Sequence, residues 1–312
     1  GIFFFDGLDE QVVDRLIWVA LLHELGDDAF LLTAGAAGGT GSGSIGIISK
    51  FMKERYPDKP VYNLLVLPFE HEETTEERTV YNVATCLKTS SSVADAVFLV
   101  DNQRYVRKDA SIKNNLARIN YMISEPFYNL LCAGEEKKGQ FIGAKLLDAG
   151  DIIQTLTGWT VIGYGKSETP FFRFPRFGTD FHRKSTEVHR GVRAMDEAIT
   201  ELSLKCRLDD ARRALYLFSG PTRELNMDLA KELGDYMKGL APRAVIRNGD
   251  YPRERGSLDV TVILSELSDT EKVRAYFRQA SSLIPDFARR QVETGARLKQ
   301  IDEVGKDIPS LI

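Results

Sequence analysis

No stretch of this 312-residue sequence is apolar for long enough to cross a membrane, and no charged, apolar and small-residue succession marks a secretory signal. A soluble cytoplasmic protein, with no direct membrane insertion, is the resulting expectation. Cysteine is scarce. Cys86, Cys132 and Cys206 are odd in number and lack the spacing of metal ligands, so they fit a reducing compartment and read as small core residues. Net positive charge is missing as well, and a formal charge of −4 argues against a general nucleic-acid binder. Internal repeats and low-complexity segments are absent. The glycine-dense run over 37–43 fits neither of two familiar nucleotide fingerprints, G-x-G-x-x-G and G-x-x-x-x-G-K-[ST]. An initiating Met is also lacking: the chain opens abruptly on Gly1-Ile2-Phe3-Phe4-Phe5-Asp6, which suggests a truncated, processed or partial sequence.

What is present is an ordinary globular composition, 43% apolar and 28% charged, on a chain long enough for one large or two medium domains. Its organising stretch is Ala37-Gly38-Gly39-Thr40-Gly41-Ser42-Gly43, which follows the apolar run Phe30-Leu31-Leu32. Four glycines among small hydroxyl residues let a backbone pass close to a ligand and aim successive N–H groups at one anion. The spacing predicts a turn here and a helix from about Ser44 to Arg55, whose dipole would add to a phosphate site. A tight turn with no ligand is the alternative.

Around this stretch the pattern is that of an α/β protein. Residues Leu8 to Leu25 show helical spacing, Ala29 to Thr33 reads as a strand, and Val61 to Leu67 as a strand buried on both faces. Strand, helix, strand in this order implies right-handed crossovers and a doubly wound parallel sheet. The glutamates of Pro68 to Arg78 follow a strand at the sheet end where such folds place ligands. They are a solvated helix start, or one of them, with Glu77 preferred, accepts bonds from ribose hydroxyls. A helix from about Glu76 to Ser90 and a strand Ala96 to Val100 lead to Asn102, which is either a turn residue or a reader of a purine edge. Asn120 offers the same chemistry from within the helix Ser111 to Cys132, where an Asn is intrinsically poor. That helix is apolar on several sides, as a helix buried between layers would be, and Pro126 predicts a kink or break in it.

A charged loop over 132–140 precedes Leu146 to Leu156. Asp151 before an apolar helix reads as an N-cap, with Asp148 flanking its dipole. Trp159 to Tyr164 is a predicted strand. The aromatic and basic loop after it, including Phe171 to Phe181, could stack on single-stranded nucleic acid, but suits a protein interface better. Helices at Glu187 to Arg207, Arg223 to Leu240, Thr270 to Leu283 and Pro285 to about Val304 are expected, with strands at Ala214 to Ser219 and Arg243 to Arg247. Ser257 to Ser265 alternates apolar and polar residues as a half-buried strand does.

The glycine stretch resembles the tubulin/FtsZ signature small-G-G-T-G-small-G at all seven positions. Ile119-Asn120 with Leu130-Leu131-Cys132-Ala133-Gly134-Glu135, Ser219-Gly220-Pro221, Asn226 and Gly249-Asp250-Tyr251-Pro252 are similar to the archaeal CetZ group of that superfamily. The resemblance implies a doubly wound GTPase domain over 1–132, joined by a long central helix to a smaller α/β second domain over 133–312. It implies GTP or GDP with Mg²⁺, the metal held mainly by the nucleotide and by no protein side chain. Ala37, Gly38, Gly39, Thr40, Gly41, Ser42 and Gly43 would hold phosphate, Glu77 the ribose, and Asn102 and Asn120 the guanine. The D-x-x-D at Asp148 and Asp151 lies where the family carries its catalytic carboxylates. It further implies head-to-tail self-assembly with hydrolysis at the subunit interface, lateral contacts through Phe171 to Phe181, and a role in cell shape.

Three features depart from the family pattern. Its N-terminal strand and second glycine-rich loop are not present, Leu116 stands where an aromatic often stacks on the base, and Leu146 replaces a common Asn. A nucleotide-binding scaffold that assembles with little hydrolysis is therefore the alternative, and a Rossmann-type oxidoreductase a third.

Overall fold

In the computed structural model the described residues are 18–22, 29–106, 112–135, 143, 145, 147–168, 180–254, 256–285 and 289. The centre of the molecule is a sheet of eight strands in the order β1-β2-β3-β4-β5-β8-β6-β7. These are β1 (Trp18–Leu22), β2 (Ala29–Gly35), β3 (Val61–Leu67), β4 (Ala96–Asp101), β5 (Gly158–Glu168), β6 (Arg213–Gly220), β7 (Val245–Pro252) and β8 (Ser257–Leu267). Strands β2 to β5 run parallel, as do β6 and β7, whereas β8 is antiparallel to both its neighbours. The predicted doubly wound α/β architecture is present.

Helices cover both faces. They are α1 (Gly39–Arg55), α2 (Glu70–Thr75), α3 (Glu77–Val93), α4 (Asn102–Tyr105), α5 (Ile112–Glu135), α6 (Ala149–Thr155), α7 (Asp180–Thr200), α8 (Met227–Leu240) and α9 (271–285). One face packs α1, α3, α7, α8 and α9 through Ile45, Val83, Leu87, Ala198, Leu233 and Tyr276. The long helix α5 packs on the opposite face, where Ile119 and Leu130 meet Phe98, Tyr164 and Ile263. It runs unbroken through Pro126, so the expected break does not occur. Strand β4 is buried at every position, because helices lie on both of its sides.

The chain departs from its local pattern at several places. Trp18–Leu22, expected within a helix, is a strand paired antiparallel with β2, from Trp18 opposite Thr33 to Leu22 opposite Ala29. Five consecutive apolar residues suit either state, and the exposed edge of β2 decides between them. Strand β8, expected to be half-buried, is buried on both faces between β5 and β6, with Asp259 and Thr261 among its buried residues. Strand β7 extends to Pro252, and α7 begins at Asp180 and ends at Thr200. A short 3₁₀ turn at Thr222–Glu224 precedes α8, whose start is capped by Asn226 accepting from the Leu229 N–H at 2.9 Å. The second helix expected beyond Pro285 lies outside the described residues except at Pro285 and Arg289. Cys86 is buried and Cys132 and Cys206 are half-buried; burial raises the Cys86 and Cys206 thiols to about 12.

The glycine stretch is also corrected. Only Ala36, Ala37 and Gly38 form the turn, and α1 begins at Gly39, so Thr40 to Gly43 are helical. Ser42 and Ser44 hydroxyls donate back to the Gly38 and Thr40 carbonyls, which keeps these polar side chains satisfied within the glycine-rich first turn but does not itself favour the helix. Packing fixes its position. A Cβ on Gly41 would lie 2.5 Å from the Gly35 carbonyl oxygen, so only glycine lets α1 lie this close to β2. At Gly39, by contrast, a Cβ would meet nothing within 4 Å. Gly41→Ala is therefore expected to destabilise the fold by about 1–3 kcal/mol in urea denaturation, and Gly39→Ala to leave the midpoint unchanged or raise it. The 3₁₀ turn is held by Arg190, whose Nη1 lies 2.5 Å from a Glu224 carboxylate that is fully buried. Arg190→Met removes the guanidinium bonded to that buried charge and is expected to cost about 3–5 kcal/mol in the same measurement.

Candidate functional site

Parallel pairing places the carboxyl ends of β2, β3 and β4 at one edge of the sheet, and the predicted nucleotide residues fall there. Ala37 to Gly43 follow β2, Glu77 begins α3 beyond β3, and Asn102 begins α4 beyond β4. At the start of α1 the N-cap Gly38 has ordinary extended angles (φ −75°, ψ 147°) and no side-chain cap, and no carboxylate lies in the first turn. The first intrahelical bond is Ser42 N–H to Gly38 O at 3.1 Å, so the three preceding N–H groups of the helix are not used by it. Gly38, Gly39 and Gly43 have space around them that a Cβ would enter without touching protein. Backbone strain does not require glycine at these positions and neither does packing; a close-lying anion would.

The turn is fixed from the side. The Asn82 amide, five residues after Glu77 on α3, donates to the Ala37 carbonyl at 2.8 Å. Glu77 itself is exposed in the first turn of α3. The neighbouring glutamates divide between structural tasks. Glu72 accepts from the Phe69 N–H at 2.7 Å and closes a capping arrangement on α2, whereas Glu73 accepts from the buried Tyr276 hydroxyl and lies 3.6 Å from the Lys272 ammonium. Asp101 caps α4 by accepting from the Gln103 N–H at 3.1 Å, and it also accepts from Lys272 at 3.0 Å. The following Asn102 is only partly exposed, and its buried side-chain oxygen has no hydrogen-bond partner among the described residues. An unsatisfied buried acceptor is costly, and a ligand N–H would satisfy it. Asn120 lies in the first half of α5 with its side chain exposed, while the adjacent Ile119 is buried. An exposed polar position accounts for an Asn inside a helix without any ligand.

Asp148 and Asp151 lie elsewhere. They start α6, which precedes β5, and the first residue of β5, Gly158, pairs with Ala96, the first residue of β4. The carboxylates thus belong to the amino end of the strand whose carboxyl end carries Asn102. Six residues of β4 separate these ends by about 20 Å. The sequence placed the cap at Asp151, but Asp148 is the N-cap: its Oδ1 accepts from the Asp151 N–H at 2.7 Å. Asp151 stands one turn further on, half-buried, with Arg247 Nε donating to its Oδ1 at 3.0 Å. Arg247 did not stand out in the sequence, because it lies 96 residues from its partner on a separate strand. Leu146 and most of Phe171 to Phe181 lie outside the described residues, and of Leu116 only its helical backbone is described.

Among the described residues no helix is long and apolar enough to cross a membrane, and no three His, Cys, Asp or Glu side chains are grouped to hold a metal.

Comparison with known proteins agrees with this fold. Residues 23–108 match the GTPase domain of the Tubulin/FtsZ family, and residues 109–282, more than half of the chain, match the C-terminal domain of tubulin-like CetZ. Tubulin-like protein CetZ5 of Haloferax volcanii is 28% identical over 265 residues, covering 79% of this chain and 65% of CetZ5. CetZ1 of the same organism is 29% identical over 249 residues, which cover 74% of this chain but only 60% of CetZ1. The chain thus spans less than two thirds of these two relatives. Among solved structures, Haloferax volcanii CetZ2 in a GTPγS-bound protofilament superposes with a TM-score of 0.66 and 27% identity over 83% of this chain and 71% of that one. With the glycine-led α1 at one end of the parallel strands and the D-x-x-D at the other, the chain belongs to the tubulin-like CetZ family.

Proposed function

We propose that this protein binds GTP at the carboxyl edge of β2, β3 and β4 and assembles head to tail, so that each bound nucleotide meets the carboxylates of the next subunit. The observation that carries this reading is the placement of the two residue sets at opposite ends of β4. Carboxylates at the amino end of β4, about one strand length from the edge that carries the phosphate cradle, cannot act on the cradle of their own chain, whereas translation of a second copy along the strand direction would bring them to it. The GTPγS-bound protofilament of the related CetZ2 supports the same arrangement.

In this reading the N–H groups at the start of α1 bind phosphate oxygens, and Gly38 and Gly39 give them room to approach. Glu77 accepts from the ribose, and Asn102, with Asn120, reads the guanine edge. The Asn102 oxygen is the better supported of the two, because it is buried and lacks a partner among the described residues. Bound GTP with Mg²⁺ supplies the phosphoanhydride bond to be cleaved and the charge that the metal offsets. Asp148 and Asp151 each commit Oδ1 within their own chain and, among the described residues, leave Oδ2 to orient a water and accept its proton. A lateral contact through Phe171 to Phe181, a cytoplasmic location and a role in cell shape complete the proposal. A division at residues 132/133, just before the end of α5, goes with it.

A second reading, assembly with little hydrolysis, is favoured by the capping engagement of Asp148. One assay separates the two: phosphate release from GTP as a function of protein concentration, with pelleting. Turnover is expected to rise more steeply than linearly. Asp148→Asn, which keeps the cap acceptor, and Asp151→Asn are expected to lower it at least about tenfold while still pelleting with GTP. Parental rates in both variants would return these residues to a purely structural role. Asn102→Ala is expected to weaken GTP binding about tenfold or more without weakening ATP binding, read by competition against a fluorescent guanine nucleotide. Gly39→Ala, neutral for stability, is expected to lower affinity for both nucleotides.

A further inference from the structure

We infer that Arg247 is a positioning residue for the proposed hydrolytic carboxylate, and that β7 is the template on which the segment carrying both carboxylates is set. The inference rests on the reading of Asp151 as hydrolytic.

Four consecutive residues of β7 engage that segment. Asp250 Oδ1 accepts from the Lys145 N–H at 2.6 Å, and the Asp250 N–H donates to the Lys145 carbonyl at 3.1 Å. Asn248 Oδ1 accepts from the Lys145 ammonium. Gly249 packs so closely that a Cβ there would lie 2.8 Å from the Leu147 Cβ. Arg247 then reaches α6 with a divided guanidinium, Nε to Asp151 Oδ1 at 3.0 Å and Nη2 to Gln154 Oε1 at 2.5 Å. Backbone pairing at Lys145 and the close contact at Leu147 are enough to place the segment. Arg247 adds something those contacts do not: a fixed rotamer and a compensating charge for one carboxylate.

Such a charge has a specific use at a surface that is to face a polyphosphate. Two uncompensated carboxylates would repel the incoming phosphates of a neighbouring subunit, and a cation bonded to one of them lowers that cost without occupying the oxygen left to hold water. The guanidinium fork is suited to this because it binds Asp151 and Gln154 in one plane, whereas an ammonium is a point charge without that geometry. The pair is half-buried, Arg247 being 22% and Asp151 35% exposed, so it is accessible to an incoming subunit and shielded in part from solvent.

The experiment is GTP turnover per pelleted subunit for Arg247→Met, Arg247→Gln and Arg247→Lys, alone and combined with Asp151→Asn. Pelleting with GTPγS and urea midpoints are measured alongside. Arg247→Met and Arg247→Gln are expected to lose turnover at least about tenfold while pelleting with GTPγS as the parent does. Arg247→Lys is expected to recover part of the loss, and Arg247→Met in the Asp151→Asn background to add nothing further. The inference is overturned if Arg247→Met and Arg247→Gln turn over at the parental rate, if turnover falls only in step with assembly, or if the double variant loses both effects in full. The two proposals fail separately: Asp151→Asn at the parental rate removes the hydrolytic carboxylate, whereas a slow Asp151→Asn beside a parental Arg247→Met removes only the positioning role. A parent with no concentration-dependent turnover removes both.

Discussion

Parallel pairing of β2, β3, β4 and β5 is the constraint on which the rest of this structure depends. Because these strands share one direction, every segment that leaves them does so at the same edge. Ala37 to Gly43, Glu77 and Asn102, spread over 66 positions of sequence, therefore converge. The same direction carries α5 back along the sheet and sends α6, with Asp148 and Asp151, to the opposite edge. β4 and β5 pair directly through only three residues, Ala96 to Phe98, before Ser203 enters beside β4, its hydroxyl donating to the Leu99 carbonyl and accepting from the Ile162 N–H. Strands from either side of α5 are thereby joined into one sheet. In the head-to-tail stack proposed above, these two residue sets, at opposite ends of the parallel strands in one molecule, would meet between neighbouring molecules.

Within that frame the glycine stretch performs two physically different tasks. Gly41 is a packing glycine, required because α1 lies against the Gly35 carbonyl, whereas Gly38, Gly39 and Gly43 face open space. In the sequence all four look alike. The distinction needs the neighbour at Gly35 and the amide of Asn82 holding Ala37, contacts that no local pattern specifies. Acidic residues beyond β3 divide in the same way: Glu72 caps, Glu73 bonds to Tyr276 and Lys272 from α9, and Glu77 is exposed at the head of α3.

The central α/β pattern was legible because its signals are strong and local. Val61–Leu67, apolar except at Asn63, and Ala96–Asp101, apolar as far as Val100, are both strands buried on nearly every residue. Where the signal is short or ambiguous, a neighbour decided. Trp18–Leu22 is a strand because the edge of β2 was available to it. The alternation of β8 suggested a wet face, but α7 lies over one side and α5 over the other, so Asp259 and Thr261 are buried too. Pro126 sits inside a helix that continues, its site buried against the sheet, where packing along the rest of α5 outweighs one missing backbone bond.

The sequence by itself determined the fold class, the order of the central elements from β2 to α5, the stretch that forms the head of α1 and the two carboxylates at the start of α6, since each depends on residue types at short spacing. Only the tertiary structure decided that Gly39 to Gly43 are helical, that Asp148 rather than Asp151 is the cap, and that Arg247 reaches Asp151 across 96 residues. The cap is a contact three residues apart that either Asp could have made, whereas the close approach of α1 to β2 and the reach of Arg247 depend on which surfaces strand pairing brings together. A contact between distant segments leaves no periodicity in the chain from which it could be read.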